Sequence, residues 1–166
     1  MTDVIADFIE QWRAERPDLD LDAMATLGRL GRVMGLATRI IEETLALHDL
    51  RLADFDVLAS LRRLGPPYEA TPTRLSRTLM LSPAGMTSRL DRLENAGLLV
   101  RRLDPDNRRS LIVALTDDGF EKIDAAVTDH VATEEQILSS LTSTRRRELD
   151  EALVALLRAV EEQLDR

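Results

Sequence analysis

The sequence predicts a mainly α-helical protein with a single β-hairpin set into its middle third. Three observations predict it. Apolar residues recur three and four apart over most of the 166 residues, the spacing that lines one face of a helix. Two consecutive segments open with a hydroxyl residue followed by proline, Thr71-Pro72 and Ser82-Pro83, and the second closes on Gly97. Hydroxyl residues cap helix starts, proline suits the first helical position, and glycine suits the position after the end. Finally, two apolar runs flank Asp104-Pro105-Asp106-Asn107, which is turn chemistry between strands.

Taken in order, Val4, Ile5, Phe8, Ile9 and Trp12 mark a short amphipathic helix that ends before Pro17. From Asp22 to Leu47, the residues Leu27, Leu30, Met34, Ala37, Ile41 and Thr44 form a heptad-like seam on a long helix. Gly28, Gly31 and Gly35 lie beside it and permit close approach of another backbone; the seam is either core or a subunit interface. Leu52 to Leu64 reads as a further helix with Asp54 as its N-cap, stopped by Gly65-Pro66-Pro67. Two short helices follow, Pro72–Leu79 and Pro83–Asn95, joined by Met80-Leu81, with Met86, Leu90 and Leu93 on the inner face of the second. Leu98–Leu103 and Ser110–Leu115 are the strands of the hairpin. Thr116 caps a helix running to about Ser139, and Thr142 caps a last one carrying Leu149, Leu153, Leu156, Val160 and Leu164.

Composition removes several classes of function. Without cysteine there is no disulfide framework, thiolate metal site or cysteine nucleophile. Two histidines, His48 and His130, are too few for a histidine metal cage, so no metal or cofactor is expected. No Ser/His/Asp arrangement or phosphate loop is visible, so the chain is not read as an enzyme. No run of 18 apolar residues suggests a membrane span and the first residues lack a basic signal segment, so a cytoplasmic address is expected. The net charge of −8 is unevenly spread: residues 72–110 hold eight arginines against four acids, leaving −12 elsewhere. Such a basic island is either a nucleic-acid reader on an acidic scaffold or a solvated face.

Two short helices across a tight turn, followed by a hairpin, make a winged helix-turn-helix pattern, with double-stranded DNA as the expected partner. Its second helix enters the major groove by its N-terminal residues. On that criterion Ser82, Ala84, Gly85, Thr87, Ser88 and Arg89 face base edges, and Arg92 suits a phosphate, as do Thr73 and Arg74 on the preceding helix. Arg108 and Arg109, beside the hairpin tip, suit a narrow minor groove of negative potential.

The run from Leu81 to Arg89, continuing to Leu93-Glu94-Asn95-Ala96-Gly97-Leu98, resembles the recognition helix of MarR-family transcription regulators. Asp104 to Ser110, followed by Leu115-Thr116 and Gly119, resembles that family's wing and the start of its next helix; Asn107 stands where the family usually has aspartate. The resemblance implies a homodimer with interleaved terminal helices on a pseudo-palindromic operator. It divides the chain into an extra N-terminal helix (1–16), dimerisation helices (22–50 and 117–166) and a winged helix-turn-helix DNA-binding domain (52–116).

The extra helix with Trp12 resembles the urate-responsive branch of that family. The branch's purine-sensing tryptophan, aspartate and two arginines are matched here by Trp12, Asp56, Arg89 and Arg101. The implied effector is urate, xanthine or a similar aromatic anion; a phenolic compound is the alternative. The residue types suit a planar anion: an indole face or donor, and guanidinium forks with permanent charge. Each residue also has a plainer reading: Trp12 as core, Asp56 as a helix-start acid, Arg89 as a DNA contact only, and Arg101 as the partner of an acid.

Overall fold

The computed structural model describes residues 3–105, 107 and 110–165. Seven helices and three strands occur among them: α1 Val4–Glu15, α2 Asp22–Ala46, α3 Leu52–Arg62, β1 Glu69–Ala70, α4 Pro72–Thr78, α5 Pro83–Asn95, β2 Leu99–Leu103, β3 Leu111–Leu115, α6 Asp117–Ile137 and α7 Ser143–Leu164. The mainly helical winged helix-turn-helix is thus the observed fold. Wherever a hydroxyl cap was expected, it is made. The side chains of Thr71, Ser82, Thr116 and Thr142 accept from the backbone N–H groups of Arg74, Gly85, Gly119 and Arg145. Each satisfies a donor that the first helical turn leaves unpaired.

Two local expectations are corrected. Asp54 does not cap α3. Arg51 occupies the cap position without a side-chain bond, and Asp54 sits inside the first turn with its carboxylate buried. A short third strand also joins the hairpin, giving an antiparallel sheet of order β1-β3-β2. Glu69 and Ala70 pair with Ala114 and Val113, while Leu99 to Leu103 pair with Leu115 to Leu111. A two-residue strand is too short to carry an alternation in sequence.

The core is built by α3, α4, α5, the sheet and α6. Leu58, Leu61, Leu75, Met86, Leu90, Leu93, Leu99, Val113 and Ile123 are buried in it. The end of α2 joins through Leu45. By contrast α1 packs on the start of α2, where Ile5 lies against Gly28 and Asp3 pairs with Arg29 at 2.8 Å. Helix α7 buries no residue, although Leu149, Leu153, Val154, Leu156, Leu157 and Val160 are all large and apolar. No helix among the described residues is long and apolar enough to cross a membrane.

Candidate DNA-reading surface and effector cleft

Helices α4 and α5 meet across a turn in which Met80 adopts a left-handed backbone (φ 50°), and Leu81 N–H returns to the Ser76 carbonyl at 2.9 Å. Thr73, Arg74, Ser82, Ala84, Thr87 and Ser88 are exposed along the outer face of this pair. Gly85 is half-buried, and a Cβ there would lie 3.2 Å from the Ser82 hydroxyl that caps the helix. The Thr87 hydroxyl donates back to the Pro83 carbonyl at 3.0 Å. A groove of about 490 Å³ runs between the two helices, lined by Thr73, Ser76, Arg77, Met80, Pro83 and Thr87 among others. Arg77 was not among the residues expected at this surface. It is exposed, one helical turn beyond Arg74, and counting it within the basic island was the signal available.

Arg89, Arg92 and Arg101 of the island are engaged within the protomer. Arg92, expected at a phosphate, is held here by an acid of α3. Its guanidinium forks onto Asp54, with Nη2 2.7 Å from Oδ1 and Nε 3.3 Å from Oδ2. This pair ties the recognition helix to α3, and Asp54 raises the Arg92 pKa further above its ordinary value. Arg89 also turns inward, donating to the Ala53 carbonyl at 3.2 Å. Its positive charge acts on Asp56, the next acid along α3. Burial pushes the Asp56 carboxyl above its ordinary value, against the opposing charges of Arg89, His130 and Arg63. The half-buried junction of α3 and α5 at Asp56 and Arg89 is the candidate effector cleft. His130 belongs to its wall: its ring lies 4.6 Å from that of Phe55, its Nε2 is 3.2 Å from Glu134, and its Nδ1 is buried without a hydrogen-bond partner among the described residues. Nothing in the spacing of Phe55 and His130 announces that α3 and α6 bring them together.

The other two effector candidates lie apart from that cleft. Arg101 donates to Glu94 at 2.9 and 2.5 Å and pairs with Asp91 at 2.7 Å, clamping β2 to the far side of α5. Trp12 is not core within the protomer. It is 47% exposed and lines a separate cavity of about 430 Å³ with Phe8, Met24 and Gly28. The wing residues Arg108 and Arg109 lie outside the described residues. Among the described residues nearby, Asn107 N–H donates to the Asp104 carbonyl (3.2 Å) and Ser110 N–H to the Asn107 carbonyl (2.8 Å).

The Arg101–Glu94 clamp carries a pH prediction. Hydrogen bonds from Arg101 hold the Glu94 carboxyl below its ordinary value. A depressed acid contributes stability that is present above the unfolded-state pKa, about 4.3 for glutamate, and is lost as pH falls through the lower folded-state value. Glu94→Gln should therefore melt below the parent at neutral pH, and the gap should close between about pH 5 and 3. A gap in melting temperature that stays constant across that range would remove the clamp as its cause.

A capped helix-turn-helix with an exposed polar reading face and an adjoining strand pair defines a winged-helix DNA-binding regulator. The comparisons agree. The MarR family's sequence profile matches residues 48–110. The HTH-type transcriptional regulator PecS of Dickeya dadantii (strain 3937) is 41% identical over 160 residues, spanning 96% of this chain and 94% of that protein. Among solved structures, AbsC, a MarR family transcriptional regulator from Streptomyces coelicolor, superposes with a TM-score of 0.76 at 26% identity, covering 87% of this chain and 97% of that one. A mutant MarR from E. coli complexed with operator DNA gives 0.73 at 27% identity, covering 82% and 97%. The chain belongs to the MarR family of transcriptional regulators, and these relatives are regulators rather than enzymes.

Proposed function

We propose that the chain is a ligand-responsive repressor that binds a pseudo-palindromic operator as a homodimer and is released by urate or a related purine anion. The carrying observation is the position of Arg89. It belongs to the recognition helix, yet its guanidinium is turned back onto α3 beside Asp56. A planar anion in that cleft competes for the same guanidinium and acts directly on the helix that reads DNA. Asp56 suits a ring N–H, which its carboxylate would accept. The homodimer is supported by α7, whose apolar seam is left exposed by the described residues of one protomer. Exposed Thr73, Arg74, Ser82, Ala84 and Ser88, together with Arg77, form the DNA face, and phosphate contacts make binding fall with salt.

A tenfold release requires about 1.4 kcal/mol of coupling, the order of one charge-assisted hydrogen bond. Gel shift on DNA upstream of the protein's own gene, with and without urate, tests this. Arg89→Ala should lower operator affinity about tenfold and abolish release by urate. If release survives in Arg89→Ala, the shared residue is not the coupling route. If salicylate releases the protein and urate and xanthine do not, the effector is phenolic.

A further inference from the structure

Charged side chains grip the recognition helix α5 along both of its flanks. At about 100° per residue, Arg89 and Arg92 share one flank, while Asp91 and Glu94 share the other. Glu94 and Asp91 pair with Arg101 of β2 at 2.5 and 2.7 Å. On the opposite flank Arg89 donates to the Ala53 carbonyl at 3.2 Å, and one turn later Arg92 forks onto Asp54. Asp54 is a fixed post. It stands in the first turn of α3, its N–H donates to the Arg51 carbonyl at 2.9 Å, and it is only 8% exposed, next to buried Phe55, Val57 and Leu58. A carboxylate withdrawn from water gains little net stability over apolar packing of the same volume. Unlike apolar packing, a forked guanidinium–carboxylate pair fixes a direction.

We propose that Asp54 and Arg92 are specificity-determining positioning residues: their fork sets the roll of α5 about its own axis, and with it the reading of base edges by Ala84, Thr87 and Ser88, without either side chain touching DNA. Apolar contact along Met86, Leu90 and Leu93 holds α5 against the core but is non-directional. A roll of about 10° moves side-chain tips, about 5 Å from the helix axis, by about 1 Å. Short side chains at base edges lose their hydrogen bonds at such a displacement. Long arginine side chains on phosphates follow it, and phosphate contacts carry no sequence information. Loss of the fork therefore costs discrimination between sequences and spares the affinity common to all of them. Arg92 takes a different part in DNA binding from the phosphate contact that its place one turn beyond the base-facing residues suggests. The proposal holds whatever effector the protein answers to.

Two probes test it: the duplex that the parent protein selects from a random-sequence library, and a scrambled duplex of the same length and composition. Arg92→Met and Asp54→Asn should each lower the ratio of selected to scrambled affinity about tenfold, the order of one base contact. Affinity for the scrambled duplex should stay within about twofold, and the salt slope of Arg92→Met should equal the parent's, because no phosphate contact is removed. Arg92→Lys keeps the charge and gives up the fork, so it should follow Arg92→Met. The double variant should lose no more than either single one, since both break the same pair. All binding is measured well below each variant's melting temperature, so that lost stability does not register as lost affinity. If Arg92→Met fails to fold, Asp54→Asn, which preserves size and shape, decides the matter. A salt slope shallower by about one unit makes Arg92 a phosphate contact. A lysine that restores the ratio makes its charge sufficient without the fork. Equal losses on both duplexes, or a lower melting temperature with the ratio intact, make the fork a brace of the fold and nothing more. Each of these results overturns the proposal.

Discussion

Leu153→Asp combined with Leu156→Asp should yield a monomer that retains its helical spectrum and binds operator at least about a hundredfold more weakly. Both side chains lie on the α7 seam and are 38% exposed in the protomer. The helix buries nothing of its own, so its apolar residues do not hold the winged helix together. Covering a leucine contributes about 1.5–3 kcal/mol, and a twofold interface counts each position twice. Loss of about 4 kcal/mol already weakens association a thousandfold. The introduced carboxylates add the cost of burying charge. A monomer engages two half-sites as separate events and so forfeits the effective-concentration gain of linkage. Light scattering coupled to size exclusion reads the mass directly. A mass of two chains for the double variant would show that α7 is not the subunit contact.

Gly119→Ala should lower the melting temperature by about 6–12 °C, the consequence of roughly 3 kcal/mol in a chain of this size. A Cβ at position 119 would lie 1.8 Å from the Leu98 carbonyl oxygen and 2.8 Å from its carbon. These are backbone atoms and cannot swing aside. They are also held in place: Leu98 O accepts from Thr116 N–H, while the Thr116 hydroxyl donates to the Gly97 carbonyl and accepts from Gly119 N–H. This clasp joins the end of the recognition helix, the start of β2 and the start of α6. A methyl group there has to displace all three. A melting temperature within a degree of the parent would mean that the corner relaxes freely.

The same corner shows what was legible before any coordinates. Gly97 carries φ +72°, and Thr116 and Gly119 lie in the spacing that marked them as a helix start. Capping is a transaction among residues within four positions of one another, so local sequence suffices to state it. The helices and the hairpin were legible for a similar reason, since each is written in a short apolar period. Strand β1 was not legible, because its two residues are strand only by virtue of β3 beside them. Of the four effector candidates, their types were visible but not their companions. Asp56 and Arg89 meet across α3 and α5, Arg101 is taken by Asp91 and Glu94, and Trp12 stands at the far end of α2.

Sequence alone therefore determined the order of the helices and the hairpin, the hydroxyl caps and the family to which they belong. Only the tertiary structure decided that Arg92 is spent on Asp54 and that Arg89 looks inward to Asp56. It alone also placed Trp12 in a cavity apart from the cleft. The physical reason is range. Periodicity and capping act over a few bonds along the chain, whereas the partner of a guanidinium is whichever acid the packing of distant helices brings within 3 Å or so.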